Sequence, residues 1–597
     1  MLLTRPFAAG SILAASFMSA VVFSSQPAEA DKVIVSIETT PSVHTENAAL
    51  RQYLKTGKRP FFYHPLQVLY HTQGMKLLWE DSEVVRLFER QLAEVALSGV
   101  NPQFSEWLRD LNDTTISPEA RDVLLSDAML GYLQFVSEVP ARGEQWLYSQ
   151  KPYPLAAPSQ SVITRWQKAL RQNQLRDFVA QLQPIHPQYS RMVTALKSIL
   201  ADKTTWPELH ATTSLRPGDE SDDVPAIRVI LQHFNMLTPS EPPADGPTVD
   251  SKSAVSSPLV DDDDNDAQAL SISSPEDVNR VPEISEVQKN SRDPSRLYSA
   301  ELVEGIKRFQ HWQGLDADGI VGRKTREWLS VSPRDRATLL ALNMQRLRLL
   351  PDDMHNGIMV NIPNYSLNYY VDGVQVLTSR VIVGSPKRKT PLMRSALNNV
   401  VLNPPWNVPT TLAREDIAPK IKKDPAYLDS HQYTLYSGWG EDAQRIDPAT
   451  IDWSTVSSSR FPYRIRQAPG PLNSLGRYKF NMPSTDAIYL HDTPNHGLFN
   501  REIRALSSGC VRVDEAATLA KLLLQDAGWS EARIESRLQE GNTQYVSIKH
   551  RIPVNLYYLT AWISDDGQAE YRTDIYQYDT LSRAGESILS VAENLIR

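Results

Sequence analysis

One cysteine, Cys510, occurs in 597 residues, in the run Leu506-Ser507-Ser508-Gly509-Cys510-Val511-Arg512-Val513. His491 lies 19 residues upstream, in Tyr489-Leu490-His491-Asp492. A thiol and an imidazole held together can carry out acyl transfer. The thiolate attacks a carbonyl, the imidazole takes its proton and later protonates the leaving amine, and fixed donors hold the oxyanion. A free thiol, with a pKa near ~8.5, is only a few per cent ionised at neutral pH, so the base is needed. The residues here suit that scheme. His491 ends an apolar strand that can hold it rigidly, and Ser508-Gly509 makes a turn whose N–H groups can point at an acyl oxygen. Gly509 permits close approach, and Arg512 adds a fixed positive charge. Spacing alone would carry little, because a histidine and a cysteine 19 apart are usually unrelated and a lone cysteine is commonly a small buried hydrophobe. The whole constellation makes the case.

The rest of the chain must present this pair. Arg5, the apolar stretch 7–23 and Ala28-Glu29-Ala30 read as a secretory signal peptide, residues 1–30, cut after Ala30. No later run reaches the ~18–20 apolar residues that span a bilayer. The mature chain is expected to be exported and periplasmic, where disulfides form; a single cysteine cannot form one internally. Residues 238–296 hold 13 Asp/Glu and 5 Lys/Arg, a balance of −8 that equals the net charge of the whole chain. The remainder is therefore near neutral and lacks the basic field that nucleic acid would demand.

From 31 to 213 the pattern is that of a helical scaffold, after a polar, extended start at 31–44. Apolar residues recur at three and four through 84–96, Ser117-Pro118-Glu119 offers an N-cap with proline at the first helical position, and further runs cover 162–182 and 189–200. Residues 214–330 form a second unit. It contains an apolar helix at 224–234, then the acidic stretch 238–296, which has eight prolines and no aromatic residue and reads as a disordered insertion. After it, Phe309-Gln310 leads into Gly314-Leu315 and Asp318-Gly319-Ile320-Val321-Gly322, where both Gly319 and Gly322 are expected to take positive φ. A helix at 331–355 reads as a linker. From 356 to 580 the period is two, with strands at 358–362, 366–371, 374–384, 400–403, 476–480 and 487–491, and Asp372-Gly373 as a hairpin turn. Residues 412–471 interrupt that pattern and are expected to form a lid. Asp514 is expected to cap a helix at 515–527, and a second helix covers 531–539. Strands at 545–549, 554–563 and 569–574 follow, then a tail, 581–597.

Two resemblances add to this reading. The F-Q-x-x-x-G-L-x-x-D-G-x-x-G pattern of 309–322 resembles the small helical peptidoglycan-binding domain. Ser507-Ser508-Gly509-Cys510-Val511-Arg512, with His491 upstream, resembles the S-H-G-C-x-R signature of the L,D-transpeptidase catalytic domain. Ser508 stands where that signature has histidine. Asn403-Pro404-Pro405-Trp406-Asn407-Val408-Pro409 and Leu475-Gly476-Arg477-Tyr478-Lys479-Phe480 are similar to the large, multidomain YcbB-type members. The resemblance implies an α+β multidomain protein: an all-α scaffold, a small helical peptidoglycan-binding-like domain and a mixed β-sandwich catalytic domain with an inserted lid. It implies that Cys510 is the nucleophile and His491 the base and acid, with the Asp492 backbone carbonyl orienting the imidazole. The Asp492 carboxylate is the competing third member, but neighbouring strand residues point to opposite faces. It further implies an oxyanion hole from the Gly509 and Cys510 N–H groups, support from Ser507, Ser508 and Arg512, and Tyr489 and Trp406 as walls for the donor peptide. The implied reaction is 3→3 cross-linking of peptidoglycan stem peptides with loss of D-alanine, needing no metal or organic cofactor, with carbapenems acylating the same thiol. Expected partners are stem peptides, with other cell-wall synthases or carboxypeptidases as candidates. Three alternatives stay open: water as acceptor, giving a carboxypeptidase or endopeptidase; a lipoprotein lysine as acceptor; and an inactive wall-binding scaffold.

Overall fold

The computed structural model describes residues 48–237, 293–351, 355–440, 442–457 and 460–596. The expected signal peptide, the extended stretch at 31–44 and all but the last four residues of the acidic insertion lie outside them. Among the described residues no helix is long and apolar enough to cross a membrane.

The helical region forms around the periodic segments. Helix Ser82–Leu97 is capped by Asp81, whose carboxylate accepts from the Glu83 N–H at 2.8 Å. Helix Pro118–Arg142 starts at Ser117, whose hydroxyl accepts from the Ala120 N–H at 3.2 Å. The run expected at 162–182 is two helices, Gln160–Arg171 and Leu175–Ala180. Asn173, at φ +53°, turns the chain between them.

Three segments pack across the expected boundaries. The linker helix, Pro333–Arg346, is buried on nearly every side and belongs to the core of the helical region. Its buried positions surround the axis and include polar ones, Arg336, Asn343, Gln345 and Arg346. The expected tail contains helix Leu589–Ile596, whose Leu589, Ala592 and Ile596 enter the same core. Within the region expected to end at 580, Leu559, Ala561, Ile563 and Tyr571 pack in the helical core, whereas Tyr558 and Tyr576 pack in the core of the main sheet. The peptidoglycan-binding-like unit has its own core around Ile227, Ile230, Leu302, Ile306 and Phe309. There Gly319 takes φ +72° as expected, but Gly322 does not. At φ −79° and ψ −174° it is extended and simply precedes helix Arg323–Leu329.

The catalytic region is built on strands β1 (Gly357–Asn361), β2 (Ser366–Val371), β3 (Val374–Gly384) and β4 (Met393–Leu402). Asp372 and Gly373, at φ +48° and +78°, make the tight turn between β2 and β3. An insertion follows with its own four strands, β5 (Trp406–Asn407), β6 (Tyr433–Tyr436), β7 (Arg445–Ile446) and β8 (Arg464–Gln467), in the order β5-β8-β6-β7. It has a separate core that includes Val408, Ile421, Leu435 and Ile465. The main sheet resumes with β9 (Tyr478–Asn481), β10 (Leu490–His491), β11 (Ala505–Ser507), β12 (Val511–Val513) and β13 (Gln544–Tyr557). Its order is β11-β3-β12-β10-β9-β4-β13-β1-β2, and β3 also pairs with β2. The first part of β3 pairs with β2 and its last four residues pair with β12 and β11, so the sheet closes on itself.

Other local differences have physical causes. The strand expected at 487–491 shrinks to Leu490–His491, because Ala487 sits at φ +54°. The strand expected at 554–563 breaks after Tyr557, and the chain continues as hairpin β14 (Ala561–Ile563) and β15 (Ala569–Tyr571). Asn361 and Asn343 capture the Leu559 and Thr560 N–H groups there, at 3.0 and 2.9 Å. Asp514 does not cap the next helix, Ala516–Gln525. Its carboxylate instead accepts from Arg380 Nε at 2.9 Å.

Candidate active site

Sheet register brings the reactive residues together. Leu490 pairs with Val511 on one side and Phe480 on the other, and all three are buried in the catalytic core. His491 pairs with Arg512 and with Lys479. Paired residues share a face and successive residues alternate. Lys479, His491 and Arg512 therefore form a row opposite the core, while Cys510, just before β12, packs partly against that core and feels the charges of Lys479 and Arg512.

His491 is 5% exposed. Its Nδ1 lies 2.5 Å from the Asp492 carbonyl oxygen. A carbonyl can only accept, so Nδ1 carries the proton and Nε2 is left as the acceptor. Burial, then the charges of Arg512 and Lys479, push the imidazole down to about 3, so it is neutral at rest. The Asp492 carboxylate faces elsewhere. It accepts from the Arg477 N–H at 2.8 Å and sits 3.3 Å from His496 Nε2. Gly476 makes this approach possible: at φ +60°, a Cβ there would stand 2.4 Å from Asp492 Oδ2.

The Cys510 thiol is partly buried and lies 3.9 Å from the Ala487 carbonyl oxygen. Burial pushes its pKa up, against hydrogen bonds from Tyr489 and the charges of Lys479 and Arg512. The Tyr489 side chain meets those of both Cys510 and Trp406, which links the thiol to the first strand of the insertion. Lys479 Nζ lies 4.1 Å from the centre of the Tyr489 ring. Ser507 braces the thiol turn, since its Oγ donates to the Cys510 carbonyl at 2.6 Å and accepts from the Gly509 N–H at 3.2 Å. The Gly509 N–H, expected as an oxyanion donor, is thus engaged by Ser507 here. Gly509 itself takes φ +116°, a conformation that favours glycine. Ser508 accepts from Arg388 Nη1 at 3.1 Å.

Several residues beside the site escaped sequence reasoning. Thr390 Oγ1 donates to the Gly509 carbonyl at 2.8 Å and accepts from the Gly384 N–H at 2.8 Å. Tyr576 donates to the Gly384 carbonyl at 2.6 Å and accepts from the Thr390 N–H at 3.0 Å. Arg388 and Thr390 meet the thiol turn, Tyr576 braces Thr390 and Lys479 lies over Tyr489, all through long-range pairing that leaves no local pattern. Lys479 alone carried a signal, as part of the Leu475–Phe480 motif.

Each region of the chain is similar to known proteins. Residues 355–537 match the family model described as "L,D-transpeptidase catalytic domain". Residues 64–196 match "Scaffold domain" and 285–329 match "Putative peptidoglycan binding domain". A Haemophilus influenzae protein named "Putative L,D-transpeptidase" is 35% identical over 527 residues, covering 88% of this chain and 80% of its own length. With a sole thiol at the head of the strand that pairs with that of a carbonyl-anchored imidazole, and with similarity of this extent, the chain belongs to the L,D-transpeptidase family of cysteine-dependent cell-wall enzymes.

Proposed function

We propose that this protein is a periplasmic L,D-transpeptidase that forms 3→3 cross-links between peptidoglycan stem peptides. The observation that carries the reading is the His491 imidazole, fixed by the Asp492 carbonyl with Nε2 as acceptor, on the strand that pairs with the one Cys510 heads. Cys510 attacks the carbonyl of the third residue, diaminopimelate, in a donor tetrapeptide. Its proton passes to His491 Nε2 and then to the departing amine of D-alanine, leaving a thioester. The side-chain amine of an acceptor stem attacks that thioester, and His491 takes the amine's proton as the thiol is regenerated.

Arg512 and Lys479 favour the thiolate as it forms and oppose the imidazolium, so they suit a transfer in which the positive charge on His491 is brief. The Cys510 N–H serves the developing oxyanion. The Gly509 N–H joins it by exchanging Ser507 Oγ for substrate. Tyr489 and Trp406 wall the donor side, and helix–loop–helix residues 293–329 bind the polymer.

The test is incubation with purified tetrapeptide muropeptides, read by mass spectrometry. Cross-linked dimers that have lost D-alanine, with an acyl adduct on Cys510, are expected, and Cys510→Ala abolishes both. Tripeptide without dimer would make water the acceptor. Binding to sacculi with no release of D-alanine would leave only a scaffold. A carbapenem is expected to add its mass to Cys510.

A further inference from the structure

The loop between β3 and β4 carries Arg388 to the thiol turn. Its backbone packs beneath that turn: a Cβ on Gly509 would stand 3.6 Å from the Lys389 carbonyl oxygen and 3.9 Å from that of Arg388. The guanidinium then bridges two parts of the protein. Nη1 donates to Ser508 Oγ at 3.1 Å. Nη1 and Nη2 also hold both oxygens of Asp416, at 2.6 and 2.8 Å, and Nη2 reaches Glu415 Oε2 at 2.8 Å. Both acids sit on the π-helical turn Ala413–Ile417 of the insertion. Such turns are frequent at functional sites.

A guanidinium presents a fork that fits one carboxylate in bidentate fashion. Here it holds one carboxylate that way and contacts a second. All three side chains reach solvent, with Arg388 28% exposed, Glu415 53% and Asp416 45%. Exposed ion pairs give up one partner for another readily. If the thiol acts on stem peptides as proposed above, the leaving residue of the donor bears a free carboxylate. That carboxylate lies one residue past the attacked carbonyl, a span of about 4 Å. With the attacked carbon over Cys510, it falls in the neighbourhood of Ser508 and its guanidinium partner.

We propose that Arg388 is a specificity-determining residue that binds the terminal carboxylate of the acyl donor, and that Asp416 and Glu415 occupy it until a donor arrives. Ser508 fits this role, since a small hydroxyl at that position accepts from the guanidinium and keeps it turned toward the thiol.

The test uses the full chain and two alkylating agents with the same leaving group, anionic iodoacetate and neutral iodoacetamide, with the adduct on Cys510 read by mass. The ratio of the two rates reports the field that a carboxylate feels beside the thiol. Glu415→Gln with Asp416→Asn is expected to raise the iodoacetate-to-iodoacetamide ratio about threefold or more, and Arg388→Met to lower it by a similar factor. Arg388→Lys, which keeps the charge without the fork, falls between wild type and Arg388→Met. In turnover, Arg388→Met is expected to raise KM about tenfold for a tetrapeptide with a free C-terminus, and far less for its C-terminal amide. An unchanged alkylation ratio, or equal losses on acid and amide donors, overturns the proposal and leaves Arg388 a structural clasp. The alkylation needs no transpeptidation, so an absence of cross-linked product would count against the functional reading while the ratio still decides the role of Arg388.

Discussion

At the site the thiol and the imidazole are both neutral at rest. Burial raises the pKa of Cys510 and lowers that of His491, and the charges of Arg512 and Lys479 push His491 lower still. A preformed thiolate–imidazolium pair would alkylate at a constant rate from about pH 5 to 8. The neutral pair found here predicts that iodoacetamide alkylation of Cys510 climbs through that whole range, and a plateau would refute it. Removing one cation tests its source. Lys479→Met is expected to slow alkylation at pH 8 several-fold, about one power of ten at most, because one charge that favours the thiolate is gone. His491 also couples the fold to acid. Its folded value of about 3 lies below the ~6.5 of an unfolded histidine, so between those values the unfolded chain binds a proton that the native state refuses. That contribution is complete above pH 6.5 and is lost as pH falls toward 3, by up to about 1.4 kcal/mol per pH unit. Denaturation midpoints should therefore fall less steeply between pH 6.5 and 4 in His491→Asn than in wild type.

At the scale of elements, the insertion is a separable body. Its sheet and core are its own, and Asn407 and Arg466, at its entrance and exit, stand opposite each other on the paired strands β5 and β8. Replacing 408–465 by a short turn is expected to leave a folded catalytic sheet whose Cys510 still alkylates, while turnover of stem peptides drops about tenfold or more through loss of donor positioning. Loss of all thiol reactivity would show that the main sheet needs the insertion to fold. The insertion was legible in the sequence because 412–471 broke a clear period of two. The candidate thiol and imidazole were legible for a related reason, since Gly509, Cys510 and Arg512 lie within four residues and His491 ends an apolar run. What stayed hidden depends on pairing between distant strands. The motif around residue 479 does not say what Lys479 will stand beside, and only the register of β9 against β10 puts it next to His491. The burial of the helix in 331–355 was hidden too, because its sequence mixes arginines with apolar residues and does not show which distant segments surround it. In the fold the surrounding elements are helices Ser82–Leu97 and Gln188–Ala201 and the C-terminal segment.

Across the whole molecule, helix Pro333–Arg346 joins three regions through two buried arginines. Arg346 is fully buried against Asp579, at 2.6 Å, and donates to the Leu147 and Tyr578 carbonyls. Truncation of such a residue leaves a buried carboxylate without its partner, so Arg346→Met is expected to destabilise the helical region by about 3–5 kcal/mol in urea unfolding followed by circular dichroism. Arg336 instead secures the peptidoglycan-binding unit. Its guanidinium sits 5.0, 4.8 and 5.2 Å from the rings of Phe234, Trp312 and Trp328 in that unit, and 4.9 Å from Tyr571 on β15. Trp328 extends the joint to Thr573 at 3.2 Å, and Arg572 donates to the Trp312 carbonyl at 2.9 Å. These contacts hold the unit against the body that carries the thiol, so a bound polymer would meet the site from a fixed direction. Aromatic–cation contacts of this buried kind contribute about 2 kcal/mol each at most, and four converge on one charge. Arg336→Met is expected to loosen the joint without disturbing the catalytic sheet. Hydrogen exchange should then quicken in helices Ala300–Trp312 and Arg323–Leu329, cross-linking of intact sacculi should fall several-fold, and turnover of soluble muropeptides should stay within about twofold of wild type. Equal losses on sacculi and soluble donors would instead place the effect of Arg336 in the catalytic fold.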